Sequence, residues 1–300
     1  MSEVKQEVKQ FYDQIGWKLV GADLYQNARY EDLRPVARQY IHNCHLRVMR
    51  HLSPSGRFLL DAGSGPVQYP EYLEYSRGYG YRVCADISLT ALQEARKRLG
   101  ERGLYVVADV ANLPFEAEVF DGVVSLHTIH HLPEDEHLGA FRELYRVLAQ
   151  GKKAVVVNGW SASRWMNYFE PLIRAANRLR HVFARLGWTV AETGDEANDA
   201  PGRQGVRPRK GESAPKGTFT NKHDAEWVRK EVGRYMPVEI LVWRSVTVRF
   251  MRALIHPRLG GRVLLRLIYA LEERYPRYFG EHGKYPLIVI QKPEEADSVP

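Results

Sequence analysis

The run Phe58–Tyr69, FLLDAGSGPVQY, constrains the fold more than any other stretch of the chain. An apolar triplet leads into Asp61, Gly63 and Gly65. That is a buried strand ending in an acid and breaking into a glycine-rich turn, the shape of a nucleotide-binding turn. There the backbone must come close to a ligand and side chains would be in the way. Glycine turns also punctuate many unrelated folds, so the turn takes its meaning from the residues C-terminal to it.

Those residues alternate between two patterns. RFLLDAG reads as a strand, PEYLEYSRGY as a helix, YRVCADIS as a strand, and LTALQEARKRLGERG as a helix with glycines near its exit. LYVVADV and FDGVVSLH are strands, residues 134–150 a helix ending at Gly151, and KKAVVVNGW a strand. Strands alternating with helices imply βαβ units and a parallel sheet. The unbroken apolar cores FLL and VVV suit strands covered on both faces. Ahead of this unit, residues 3–13 and 31–51 read as helices, the latter on the spacing of Leu33, Val36, Tyr40, Cys44 and Val48. After Trp160 the pattern changes. Residues 163–187 are a long basic helix with a break at Pro171, and 191–221, poor in large apolar groups, a mobile loop or lid. Then come a short helix at 222–233, a strand at 238–248, two helices at 249–275 around Pro257 and Gly260-Gly261, and a last strand at 285–292.

Four features then fall at the C-terminal ends of successive parallel strands, where open α/β sheets bind ligands. The first is Asp61-Ala62-Gly63-Ser64-Gly65. The second is Asp86, placed to accept both hydroxyls of a ribose. The third is Asp109, which can accept a bond from an exocyclic adenine amine, with Ile87 and Val110 flanking the base. The fourth is SLHTIHHLP, where the fourth strand leaves the sheet.

On the motifs LLDAGSG, CADIS, ADVANLPFEAEVFDGVVSLHTIHHL and ELYRVLAQGKKAVVV, residues 55–160 resemble the class I S-adenosylmethionine-dependent methyltransferases, in their small-molecule branch. The turn departs from that family's D-x-G-x-G-x-G in one place, with Val67 where a third glycine would stand. A dinucleotide enzyme would need G-x-G-x-x-G, and Gln68 occupies the site of its last glycine. The resemblance implies S-adenosyl-L-methionine as cofactor and methyl transfer to an oxygen or nitrogen nucleophile. It places Asp61, Gly63, Ser64 and Gly65 by the methionine part, Asp86 by the ribose, Asp109 and Val110 by the adenine, and Leu126 and His127 near the sulfur. It further implies a doubly wound, Rossmann-like α/β sheet of seven strands, with 285–292 antiparallel beside 238–248.

Several features carry a plainer reading beside the sharper one. His127, His130 and His131 are the candidates for a base, and a structural turn after the fourth strand accounts for them better. Tyr12 and Trp17 fit a lid over the cofactor and fit helix packing equally. Asn158-Gly159-Trp160 reads more readily as a loop capping the core than as a substrate contact. The net charge of +7 gathers after residue 160. Arg203, Arg207, Arg209, Lys210 and Lys216, with the acid Glu212 among them, fit a solvated loop rather than a nucleic-acid stripe, because only Phe219 supplies an aromatic nearby. Nucleic-acid amino-group methylases carry a [D/N]-P-P-[Y/F/W] run where this chain has Leu126-His127-Thr128-Ile129. Arg249, Arg252, Arg258, Arg262 and Arg266, beside Phe250, Leu254, Leu264, Leu265 and Ile268, fit helices packed on their own domain better than a peripheral membrane contact.

The expectation is therefore a cofactor-binding core at 53–160, N-terminal helices at 1–52 covering the cofactor, and a helical cap at 161–300 over the acceptor. The acceptor is read as a small molecule, with the basic cap pointing to an acidic, sugar-linked or lipid-linked one. RNA or protein methylation and non-catalytic binding of the cofactor are the alternatives. Cys44 and Cys84, with no CxxC spacing, suit neither a disulfide framework nor a metal site and fit a reducing cytoplasm.

Overall fold

The computed structural model describes residues 2–17, 19–21, 24–27, 31–185 and 218–294. Its frame is a seven-stranded sheet. In chain order the strands are β3 (Gly56–Ala62), β4 (Tyr79–Asp86), β5 (Gly103–Val107), β6 (Gly122–Leu126), β7 (Lys153–Val157), β8 (Val238–Arg244) and β9 (Tyr285–Gln291). A separate two-stranded ribbon, β1 (Leu19–Gly21) and β2 (Leu24–Tyr25), precedes them. Across the sheet the order is β5-β4-β3-β6-β7-β9-β8. The first five strands pair in parallel, and β9 runs antiparallel between β7 and β8. The chain reverses its direction of travel across the sheet between β3 and β6. A crevice forms at such a switch point, outside the carboxyl ends of the strands.

Residue parity divides the core. Leu60, Val83, Val123 and Val156 face one buried cluster, and their neighbours Leu59, Cys84, Val124, Val155 and Val157 face another. Successive strand residues point to opposite faces. Strands apolar at both parities therefore have to be covered twice, which is what the sequence reading took FLL and VVV to mean. The first cluster is closed by α5 (His137–Val147) and the second by α3 (Pro70–Glu74) and α4 (Leu89–Leu99). Ser88 caps α4 by accepting the Ala91 N–H at 3.1 Å.

A third cluster belongs to the cap. It joins α2 (Arg38–Leu46) to α6 (Arg164–Arg185), α8 (Val248–Leu254) and α9 (Gly261–Arg274) through Tyr40, Ile41, Met166, Phe250, Met251 and Leu265. The remaining helices are α1 (Glu3–Phe11), the short α7 (Ala225–Trp227) and α10 (Pro276–His282). Among the described residues no helix is long and apolar enough to cross a membrane. Cys44 and Cys84 are free and buried.

Some elements differ from the sequence expectation. The helix read over 31–51 begins only at Arg38, because Pro35 disfavours a helical conformation at the residue before it. It continues as a 3₁₀ turn over Arg47–His51. The break expected at Pro171 does not occur: α6 runs through it, at the cost of one backbone hydrogen bond. The ribbon β1–β2 and the helix α10 were not anticipated as elements. Arg203, Arg207, Arg209, Lys210, Glu212 and Lys216, with most of the 191–221 segment, lie outside the described residues.

Candidate active site

A cavity of about 420 Å³ opens at the carboxyl ends of β3, β4, β5 and β6. Asp61, Gly63, Ser64, Gly65, Asp86, Ile87, Asp109, Val110, Leu126 and His127 all line it, as do His130 and His131.

Gly63 and Gly65 are required by geometry. Their φ angles are +77° and +52°, a region that L side chains avoid. A Cβ on Gly63 would lie 2.2 Å from the Thr128 side chain, and one on Gly65 would lie 3.0 Å from the Trp17 ring. The turn is tied down by Gly63 N–H and Ser64 N–H, which donate to the Ala85 carbonyl at 2.7 and 3.3 Å. Val67 is also left-handed, at φ +53°. The position where the family's third glycine would stand thus has a glycine-like backbone and a valine on it.

The three acids have different surroundings. Asp61 is buried and bound by Arg82 of β4, whose Nε donates to Oδ2 at 3.1 Å and whose Nη2 reaches the same oxygen. Arg82 also donates to the Tyr72 carbonyl. Asp61 therefore borders the cavity with one oxygen already engaged. The sequence reading missed Arg82. Its signal was an arginine inside the apolar strand YRVCAD, which has to find a counter-charge when buried. Asp86 accepts Gly65 N–H at 2.9 Å on Oδ2 and Ser88 N–H at 2.8 Å on Oδ1, so it joins the glycine turn to the start of α4. A carboxylate has roughly four lone-pair sites, and two remain. Burial pushes the Asp86 carboxyl up to about 6. Asp109 accepts Ala111 N–H at 3.0 Å on Oδ1 and is paired through Oδ2 with Lys5 of α1. Lys5 also pairs with Glu136. Burial opposes its charge, but the two carboxylates hold its pKa above the ordinary lysine value.

α1 and the π turn after it (Tyr12–Gly16) close one wall. Tyr12 stacks on Trp17 with ring centroids 5.0 Å apart, and its hydroxyl meets His131 Nε2 at 2.9 Å. His131 Nδ1 donates to the Phe219 carbonyl at 2.8 Å. Both nitrogens are thus used by the neutral ring, which makes His131 a positioning group. Burial depresses its pKa to about 4. His130 Nδ1 meets Asn158 Oδ1 at 3.2 Å, and burial holds this ring well below the usual histidine value. His127 has φ +56° and stands edge-on to Trp243, 5.0 Å between centroids. Burial, then the nearby Arg244 charge, lower its pKa to about 3. These are neutral imidazoles whose conjugate acids are unfavourable, so they are weak bases in this setting.

Of the described residues after 160, the cavity takes Thr218, Thr220, Lys222, Arg244 and Tyr285, and none of those in α6, α8, α9 or α10. Arg244 is buried and paired with Glu31, whose carboxyl is pulled down to about 2: burial works against the shift, and Arg244 and His45 outweigh it. Trp160 is buried with its Nε1–H on the Gly280 carbonyl at 2.7 Å, and Gly159 borders the cavity. That stretch therefore both caps the core and reaches the site. In the cap, Arg249 pairs with Glu170 and Phe250, Leu265 and Ile268 are buried, while Val263, Leu264 and Leu267 face outward. Among the described residues no group of histidine, cysteine or acidic side chains could hold a metal ion.

A family model described as a methyltransferase domain matches residues 60–156. The chain is 27% identical over 142 residues to a tRNA (carboxymethyluridine(34)-5-O)-methyltransferase of Xenopus tropicalis, covering 40% of this chain and 21% of that one. It is 28% identical over 151 residues to a phosphatidylethanolamine N-methyltransferase of Cereibacter sphaeroides, covering 47% and 68%. In three dimensions it resembles geranyl diphosphate C-methyltransferase of Streptomyces coelicolor, with a TM-score of 0.53, 13% identity, and coverage of 97% of this chain and 98% of that one. At that identity the likeness is one of fold.

Proposed function

We infer, from the methyltransferase-domain model that matches residues 60–156, that the protein moves a methyl group from S-adenosylmethionine to a small-molecule acceptor. One observation carries the reading. Acidic residues on three neighbouring strand ends, with the glycine turn between them, open into a single cavity at the switch point of the sheet.

The residues fit the cofactor. Gly63 holds its positive φ tight against Thr128, where a Cβ would clash, so the turn keeps its backbone at the cavity wall. Gln68 lines the same cavity, and its buried Oε1 has no hydrogen-bond partner among the described residues, an acceptor for a ligand amine. Asp86 has two lone-pair sites for the ribose hydroxyls, and Asp109 keeps capacity for the adenine amine between Ile87 and Val110. When bound, S-adenosylmethionine supplies an electrophilic sulfonium methyl. The protein's share is to align the acceptor and keep water out. In this reading residues 53–160 are the binding core, 1–52 close the cofactor end, and 161–300 supply the acceptor end. Two buried thiols suit a reducing compartment, and we assign the cytoplasm.

Calorimetric titration with S-adenosylmethionine tests the cofactor. Asp86→Ala is expected to weaken binding by about tenfold or more, the loss of bonds to a charged acceptor. Binding as tight as in the parent would overturn the ribose assignment. Labelled methyl donor in a fractionated extract tests the acceptor class. Label in small molecules supports the reading, label in RNA or protein replaces it, and tight binding without transfer removes catalysis.

A further inference from the structure

The acceptor end of the cavity holds a positive charge that nothing among the described residues neutralises. Lys222 lines the cavity, is largely withdrawn from solvent, and makes no ion pair or hydrogen bond to any described residue. Desolvation alone lowers its pKa, with no acid acting against it. The other cation in this part of the lining, Arg244, already has Glu31. Lys284 stands close enough to add its own field, and donates to the Trp160 carbonyl at 2.6 Å. A half-buried ammonium has lost part of its hydration, so an unpaired one in a ligand cavity favours an anionic partner.

Two further donors belong to the lining: Thr218 Oγ1 and Arg244 Nε are buried and, among the described residues, find no hydrogen-bond partner. Lys222 and Arg244 meet around Tyr285. A Cβ on Gly159 would lie 3.5 Å from Lys222 Nζ and 3.7 Å from the Tyr285 ring, and the Arg244 guanidinium sits 4.6 Å from the centre of that ring. Gly159 thus leaves room beside the ammonium.

We propose that Lys222, with Arg244 and Thr218, forms a binding site for an anionic group of the acceptor, a carboxylate or a phosphate. Such an oxyanion accepts several charge-assisted hydrogen bonds at once, which matches an ammonium, a guanidinium edge and a hydroxyl better than any neutral group does. That the anion belongs to a methyl acceptor rests on the methyl-transfer reading, while the anion site itself does not depend on it.

The test uses the full chain, with and without S-adenosylhomocysteine. Inorganic phosphate and acetate are titrated by calorimetry at constant ionic strength set with chloride. At least one anion is expected to bind, with affinity reduced about tenfold in Lys222→Gln and partly restored in Lys222→Arg. Tighter phosphate binding assigns a phosphorylated acceptor, and tighter acetate binding a carboxylic one. S-adenosylhomocysteine affinity of Lys222→Gln is expected to match the parent, and its melting temperature to be no lower. Failure of both anions to exceed chloride, or equal affinity in Lys222→Gln, overturns the proposal. Anion binding without any S-adenosylhomocysteine binding would instead remove the cofactor reading and leave the anion site standing.

Discussion

At Val67 a β-branched side chain sits on a left-handed backbone, φ +53°, and is wholly buried. The conformation costs roughly 1–2 kcal/mol for an L residue. Packing offsets it, since full burial of a valine contributes about 1.5–3 kcal/mol. Two substitutions separate these terms. Val67→Ala loses the packing and keeps the strain, whereas Val67→Gly loses the packing and releases the strain. In most contexts glycine is less stable than alanine by about 0.5–1 kcal/mol. Here Val67→Gly is expected to be the more stable of the two by about 1 kcal/mol, read from urea denaturation midpoints. The usual order, alanine above glycine, would mean that the turn relaxes out of the left-handed region. The strain lies beside Gly65 and Gln68 at the rim of the cavity, where tightly specified backbone is most useful.

At the scale of elements, the glutamate pair at 272–273 shows what the sequence conceals. ALEERY reads as the solvated end of a helix, yet Glu272 is fully buried on the inner side of α9. It accepts the Tyr40 hydroxyl at 2.7 Å, the Ser245 N–H at 2.8 Å and hydroxyl at 2.6 Å, and Arg47 at 2.9 Å. α2, α9 and the end of β8 are pinned together by that one carboxylate. Glu272→Leu leaves buried Arg47 with Glu273 and the Trp243 carbonyl only and strands the Tyr40 and Ser245 donors, and is expected to cost about 3 kcal/mol in denaturant unfolding. Adding Arg47→Met should recover much of the loss, and a double variant as unstable as the sum of the two singles would contradict the pairing. Tyr40 lies 232 positions from Glu272, and no local pattern encodes such a meeting. The central strands were legible for the opposite reason: burial on both faces writes itself into a short window, as FLL and VVV did. Likewise, the ten residues read as a ligand edge line one cavity because strand ends are set by local turn chemistry. Lys5, Arg82, Lys222 and Arg244 were not read as site residues, since their meaning depends on which charge stands opposite. Pro171 misled because its cost as a helix residue is finite, and α6 carries it.

For the whole molecule, the three histidines at the cavity make stability depend on pH. His127 and His131 are depressed to about 3 and about 4 and His130 lies well below the usual value, in each case chiefly through burial. The unfolded chain takes up protons on these rings near pH 6.5. Stability from each is therefore fully present above 6.5 and is lost as pH falls toward the folded value, at about 1.4 kcal/mol per unit. Two groups act in the other direction. Burial raises Asp86 to about 6, and its stabilising contribution is present at low pH and lost as pH rises through that value. Burial opposes the charge on His45, but its hydrogen bonds to Glu31 and Glu71 raise its pKa, so it too favours the acid side. A single melting curve mixes these signs, whereas a comparison isolates one. His131→Gln removes one depressed ring and leaves the others in place. Between pH 7.5 and 5.5 the parent is expected to lose about 1.4 kcal/mol more than His131→Gln in urea unfolding. Equal losses would mean that the ring is not held neutral in the folded chain.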